Sequence, residues 1–319
     1  MVGDVNGYNI LHDEWDQEDP IKEVRDLLRD QDLFILNFEG VLLSKESSSE
    51  TCRKFPRQSL FYSSPRIADF LHPTQFTIAA LANNHILDCG DHGIKDTIRE
   101  LSTRGILTMG AGENLSQACK PVVIQTKRVR LGIVNYLAME TDLISAGQVS
   151  PGAASWERCA GERQLAELKA SADILVVALH LHLEPGWKGE VSARHISMVK
   201  RVLDAGADIV ISHGPHVPSG ILQSNGRVAL LSLGNFLFRP DYWMPENAHD
   251  SLIVKVTVSP DSLTLSLFPF KIDDYGKPRI PSPQEASKIL QDISTLSNLL
   301  GTTVNITGES GYVKVKRQR

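Results

Sequence analysis

Cysteine is scarce in this chain: four residues in 319, namely Cys52, Cys89, Cys119 and Cys159. They fall 30 to 40 positions apart and no Cys-x-x-Cys occurs, which argues against a zinc knuckle or a vicinal redox pair. Such spacing suits free thiols in a reducing compartment, with pairing left open. Long apolar runs are also lacking. The longest, 174–179, is far short of the roughly 20 residues that a membrane span needs. The first ten residues include Asp4 and Asn6 and have no apolar core, so they do not read as a secretory signal. These absences lead to the expectation of a soluble, cytoplasmic chain, although a chain trimmed of a targeting segment would look the same. No charge of one sign dominates: 33 Lys and Arg against 38 Asp and Glu leave a net charge of −5, with no bulk attraction for nucleic acid or an anionic membrane. The one basic cluster, Lys314, Lys316, Arg317 and Arg319, reads as a solvated, frayed C-terminus. No internal repeat and no linker that forces a split are evident.

What is present is an ordinary globular composition, 42% hydrophobic and 22% charged, on a chain long enough to bury a sizeable core. It opens on Gly3-Asp4-Val5-Asn6-Gly7, which reads as the end of a strand without its apolar body. Short helices are expected at 20–29 and 65–71, and a Ser-rich loop at 44–54. A continuous apolar run at 33–38 suits a strand covered on both faces. A second, 76–82, ends in Asn83-Asn84-His85. A helix at 93–104 leads to a strand at 106–109. The runs 122–125 and 131–136 form a hairpin, and 145–155 is a loop. Helices at 157–170 and 190–204 then alternate with strands at 173–179, 208–211 and 228–233. Leu252, Val254, Val256 and Val258 alternate with other residues, as do Leu263, Leu265 and Leu267, which signals an antiparallel hairpin. A final helix carries Ile289, Ile293, Leu296 and Leu300. This pattern is a layered α/β domain with antiparallel closure. The expected division is a main domain over 1–275 and a helical extension over 276–319 packed on it.

The strand ends are where chemistry collects: Asp4, Glu39, Asn84 with His85, His180, and His213 with His216. Ligands in open α/β sheets bind beyond the carboxyl ends of strands. A mixture of carboxylate, amide and imidazole suits zinc, manganese or iron rather than a thiolate site. Taken singly, each residue reads as well as a cap or a hydrogen-bonded loop residue. Their recurrence on what reads as one sheet is the argument. His182 and Glu184, close after His180 with Trp187, and Asn235 at a further strand end are candidates to line a substrate cleft. His12, His72, His92, His195 and Glu46 read as structural. Gly110-Ala111-Gly112 reads as turn geometry rather than an anion cradle.

Several blocks occur in order: Gly3-Asp4, Asn37-Phe38-Glu39, Leu81-Ala82-Asn83-Asn84-His85-x-x-Asp88-x-Gly90, Gly110-Ala111-Gly112, Gly206-Ala207-Asp208-Ile209-Val210-Ile211-Ser212-His213-Gly214-Pro215-His216-Val217 and Ser232-Leu233-Gly234-Asn235-Phe236. Together they resemble the CapA-type capsule and poly-γ-glutamate biosynthesis family, a branch of the calcineurin-like metallophosphoesterases. The resemblance implies a four-layer α/β sandwich, metallo-dependent phosphatase-like, with one or two divalent ions (Mn, Zn or Fe). By its motifs, Asp4 and His216 resemble ligands of a first metal, Asn84, His180 and His213 those of a second, and Glu39 takes the bridging place. His85 looks like the acid/base imidazole, oriented by Asp88. The sequence departs from the superfamily pattern at four places. Asn6 stands where the first motif usually has His, Glu39 where the bridge is Asp, Leu181-His182 where Trp-Gly follows the His, and Gly214 where a second His is common.

The reading that results is a metal-dependent hydrolase of a γ-glutamyl or other amide, or of a phosphoester. Two alternatives stand beside it: a peptide epimerase on the same fold, with Glu39 opposing His85, His180 or His216, and a non-catalytic polymer-binding accessory protein. The expected partner is a small molecule, a peptide or a γ-glutamyl polymer, with no nucleic acid and no membrane span. The sequence gives no oligomeric state.

Overall fold

A computed structural model describes residues 1–7, 19–44, 52, 60–126, 128–138, 143–181, 189–241 and 244–317. Two sheets stack face to face. The first orders Asn235–Leu237, Asp4–Val5, Leu33–Phe38, Phe76–Ala80 and Ile106–Met109, all parallel. The second orders Ile221–Ser224, Arg227–Leu230, Ile209–His213, Ile174–His180, Arg130–Leu137 and Val122–Gln125, with four parallel inner strands and an antiparallel strand at each edge. The continuous apolar runs have their cause here, since both faces of each inner strand are covered. Ile35, Ile78 and Met109 of the first sheet share one core with Ile133, Val176 and Ile211 of the second. The alternate residues Phe34, Leu36, Leu175 and Val177 belong to a second core with Leu101, Val199 and Val202 of the helices. Helix Gly90–Thr103 packs on the first sheet, and helices Gly161–Lys169 and Ala193–Asp204 on the second. The order is helix, sheet, sheet, helix, the four-layer sandwich expected.

A third sheet, Asp250–Val258, Ser262–Ile272, Ser310–Lys316 and Asn305–Thr307, is antiparallel and contains the expected hairpin. Helix Pro283–Leu299 begins with a capping box, Ser282 with Glu285, and buries Ile289, Leu290 and Ile293 in the core that holds Leu265 and Val313.

Several expectations are corrected. The site strands do not share one sheet: an apolar run ending in a polar residue does not say which sheet pairs with it. The strand expected over 228–233 stops at Leu230, and the chain crosses to the first sheet as Asn235–Leu237. Gly234 makes that crossing at φ 75°, where a Cβ would lie 2.8 Å from the Asp250 carbonyl oxygen. The basic C-terminus is not frayed over 310–316. It is a strand with Val313 and Val315 buried and Lys314 and Lys316 exposed, so the lysines mark its solvent face. The cysteines are not free thiols: Cys52 pairs with Cys89 and Cys119 with Cys159, brought together by folding across 37 and 40 positions. Disulfides persist in oxidising surroundings, so these pairs run against the reducing, cytoplasmic setting expected from the cysteine spacing. Among the described residues no helix is long and apolar enough to cross a membrane. The 20–29 helix is shorter than expected, one turn at Arg25–Leu28, and Pro65–Phe70 is a 3-10 helix. His12 and Glu46 lie outside the described residues, as does all but Ser44 and Cys52 of the 44–54 loop.

Candidate metal centre

Register brings the polar strand ends to one level. Asp4 pairs with Asn37 on one side and Asn235 on the other, and His180 pairs with His213. Parallel strands put their carboxyl ends on the same edge, so both sheets deliver side chains to a shared rim. Asp4, Glu39, Asn84, His85, Asp88, His180, His213 and His216 are all buried there.

Hydrogen bonds fix several orientations. Asn37 Nδ2 donates to Asp4 Oδ1 at 2.9 Å and also approaches His180 Nδ1 at 3.4 Å. An amide nitrogen can only donate, so His180 Nδ1 is the acceptor. His180 Nε2 therefore carries the proton and donates to Asn84 Oδ1 at 2.8 Å, a bond that crosses from one sheet to the other. Asn235 Nδ2 donates to the Ala248 carbonyl at 3.1 Å, which turns its Oδ1 towards His216 Nδ1 at 3.0 Å. His216 Nδ1 is then the protonated nitrogen, and its Nε2 lone pair points at Glu39 Oε1, 3.8 Å away. His180 Nε2 lies 3.8 Å from the same oxygen, so Glu39 sits between the two imidazoles. His213 Nδ1 is 3.0 Å from Asp4 Oδ1, and His216 Nδ1 is 3.3 Å from Asp4 Oδ2. His216 holds a left-handed backbone, φ 58°, which is uncommon for a residue with a Cβ.

The electrostatics are unbalanced in a way that a cation would correct. Among the described residues neither Glu39 carboxylate oxygen, nor His213 Nε2, has a hydrogen-bond partner. Burial, then the negative charges of Asp4 and Asp88, push Glu39 well above the usual carboxylate range. Burial would raise Asp4 as well, but the hydrogen bond from His213 and the fields of His213, His216 and His180 hold it at about 2. A buried carboxylate is costly unless it is paired or coordinates a metal, and a cation at the rim would supply that partner. Among the described His, Cys, Asp and Glu side chains, Asp4, Glu39 and His216 each offer one ligand atom within 4.8 Å of the others. The residues present fit a divalent ion.

Beside this cluster His85 Nδ1 lies 2.8 Å from Asp88 Oδ2, which also accepts the Phe61 N–H at 2.6 Å. The ring of Phe61 stacks on His85 at 4.0 Å and packs edge-on against Phe238, whose ring is 4.9 Å from that of His216. Asn83 locks the loop from within. Its Nδ2 donates to the Phe38 carbonyl at 2.7 Å and its Oδ1 accepts the His85 N–H at 3.1 Å.

Of the residues proposed for the cleft, His182 and Glu184 lie outside the described residues, as does Trp187. Asn235 lies buried at the rim. Both ends of its amide are engaged, one with His216 and one with Ala248, and it is a support for His216. His195 is structural as expected, buried and bonded through Nε2 to Ser212 Oγ at 2.7 Å. Sequence reasoning missed Asn37 as a partner of Asp4 and His180, and Phe61 as a wall for His85. An amide inside the apolar run 33–38 was the signal for the first. Nothing in the sequence marked the second.

The model of the family described as bacterial capsule synthesis protein PGA_cap matches residues 1–240, three quarters of the chain. The PGA biosynthesis protein CapA of Bacillus subtilis (strain 168) is 30% identical over 216 residues, covering 67% of this chain and 55% of that protein. The capsule biosynthesis protein CapA of Bacillus anthracis is 25% identical over 282 residues, covering 86% of this chain and 66% of that protein. The chain thus spans between about half and two thirds of the length of these relatives. Among solved structures, a novel phosphatase of Mycoplasma pneumoniae aligns with a TM-score of 0.43 at 15% identity, over 87% of this chain and 88% of that one. With three quarters of its length matched, and with the motifs of the rim falling inside the match, this chain belongs to the bacterial capsule synthesis family PGA_cap.

Proposed function

We propose that the rim is the divalent-metal centre of a hydrolase, and that the chain cleaves a γ-glutamyl amide or a phosphoester. The observation that carries this reading is Glu39, a buried carboxylate with neither oxygen partnered among the described residues and an imidazole on either side. Asp4, Glu39 and His216 would hold one ion, and Asn84, His180 and His213 with Glu39 shared would hold a second, the ion taking the place of the bond between His180 Nε2 and Asn84 Oδ1 and His180 giving up that proton. A bound Mn, Zn or Fe ion would polarise a substrate oxygen and lower the pKa of nearby water towards ~7.

The remaining chemistry belongs to the chain. Asp88 accepts from His85 Nδ1–H and so leaves Nε2 as the site where a proton is held or released. Phe61 limits the tilt of that ring by stacking on it and fixes Asp88 through its N–H. His85 is thereby set to protonate a leaving amine or alkoxide, and the burial of the rim keeps bulk water from competing. One relative is named for PGA biosynthesis, which makes γ-glutamyl amides the first substrates to try.

Metal analysis of the purified chain, followed by a panel of γ-glutamyl amides and phosphoesters, tests the reading. The expected result is bound transition metal, turnover of one class, and loss of metal in His213→Ala. A chain that holds no transition metal, with His213→Ala no different, overturns it. Metal binding with deuterium uptake at a peptide α-carbon and no cleavage assigns epimerisation instead. Ligand binding without turnover assigns an accessory role.

A further inference from the structure

We propose that Asn135 is a positioning residue that sets the separation of the two sheets directly beneath the metal centre. The inference rests on the metal reading above. Asn135 lies in the strand Arg130–Leu137 of the second sheet, in register with Ala178. Its Oδ1 accepts the N–H of Ala82, which belongs to the chain leaving the first sheet, at 2.6 Å. Its Nδ2 donates to the Ala178 carbonyl at 3.2 Å. A backbone N–H can only donate and a carbonyl only accept, so the amide has one satisfied orientation.

Position gives this clamp its meaning. Ala82 is two residues before Asn84, and Ala178 is two residues before His180. Asn84 Oδ1 and His180 Nε2 meet across the sheets at 2.8 Å. One side chain therefore ties both ligand-bearing backbones together just below the point where their ligands converge. Gly110 shows how closely the site is fitted. At φ 90°, a Cβ there would come within 2.1 Å of Asn135 Oδ1, so glycine is what lets the amide reach Ala82. Gly110 is thus explained by the space Asn135 needs rather than by an anion, and Ala111–Gly112 is not the turn expected but a short strand paired with Gly152–Ala153.

A buried amide in an apolar core can also be plain inter-sheet adhesion, and metal affinity separates the two roles. The whole chain, stripped of metal, is titrated with Mn²⁺ by calorimetry, with folding checked by circular dichroism. Asn135→Leu keeps the branching at Cγ and removes both bonds. The expected result is a dissociation constant for Mn²⁺ raised by about ten- to a hundredfold, the usual effect of losing a group that orients a ligand. Ile78→Val, a change in the core shared by the two sheets, should leave the constant within about twofold of the unaltered chain. Gly110→Ala drives a methyl into the amide, leaves Asn135 in place, and should weaken Mn²⁺ in the same direction. It carries the test if Asn135→Leu does not fold. Folded Asn135→Leu or Gly110→Ala with unchanged affinity overturns the proposal, and so does an equal loss in Ile78→Val. If the unaltered chain binds no Mn²⁺, the metal reading falls and takes this one with it. If it binds and the variants bind equally, this inference alone falls.

Discussion

The two sheets meet at one rim and bring opposite chemistry to it. The first supplies acids and amides, Asp4, Asn37, Glu39 and Asn84. The second supplies imidazoles, His180 and His213, with His216 in the turn that follows. Their electrostatics differ accordingly. Asp4 lies against the imidazoles of the second sheet and is held at about 2. Glu39 is pushed up by burial and then by the charges of Asp4 and Asp88. Neither sheet alone holds the proposed ligand set, so the proposed centre is only as good as the docking of one sheet on the other.

That comparison can be broken most severely by removing one ligand from each side. Glu39→Gln from the first sheet and His180→Ala from the second should each weaken Mn²⁺ by on the order of 100-fold or more, at or beyond the upper end of what losing an orienting group costs. Calorimetric titration checks it. A large loss from one sheet and none from the other would mean that a single sheet holds the ion. His85 sharpens the comparison because it lies off both sheets, on the loop after Phe76–Ala80. His85→Ala should lower turnover by about 10²- to 10⁴-fold and leave Mn²⁺ affinity unchanged. A parallel fall in affinity would move His85 into the ligand set.

His195 supports the second sheet from its helix-covered face through Ser212, and its effect is on stability rather than chemistry. Burial lowers it from 6.5 to about 4. Between those values the unfolded chain binds a proton that the folded chain refuses. Stability therefore falls as pH drops from 6.5 towards 4, by up to about 3 kcal/mol, and levels off below. Urea unfolding at pH 7 and pH 4 measures this. His195→Gln, which keeps a partner for Ser212, should flatten the slope, and an unchanged slope assigns the acid sensitivity elsewhere. Smallest is a change that touches neither inner sheet. Lys288 and Asp292 form an exposed pair on helix Pro283–Leu299. Lys288→Ala should cost no more than about 0.5 kcal/mol in the same assay.

Much of this arrangement was legible because parallel strands announce themselves. An apolar run that ends abruptly in Glu39, in Asn84-His85, in His180 or in His213 is a buried strand reaching a polar rim. Which sheet each strand joined was not legible, since a strand covered on both faces has no polar side to mark its partner. The break at Leu230 was hidden for the same reason: 228–233 is apolar but for Ser232, and the chain turns to the other sheet at Gly234, φ 75°. Tyr312, Val313, Lys314, Val315 and Lys316 did alternate in the sequence, but their charge masked the period. The cysteine pairs depend on which loops approach each other, and spacing along the chain does not report that. Asn135 was the one amide in the apolar run 131–136, a signal that went unread because its partners are backbone groups, one on the neighbouring strand and one on the chain leaving the other sheet.

His216 keeps a backbone shape that glycine would adopt freely, at a cost on the order of 1 kcal/mol for a residue with a side chain. Its imidazole is therefore held in place against the preference of its own peptide unit. Resistance to unfolding and capacity for chemistry pull in opposite directions at this residue. A lineage or a library selected only for surviving heat would drift towards glycine here, and its hardiest members would be intact shells around a rim that no longer closes on an ion.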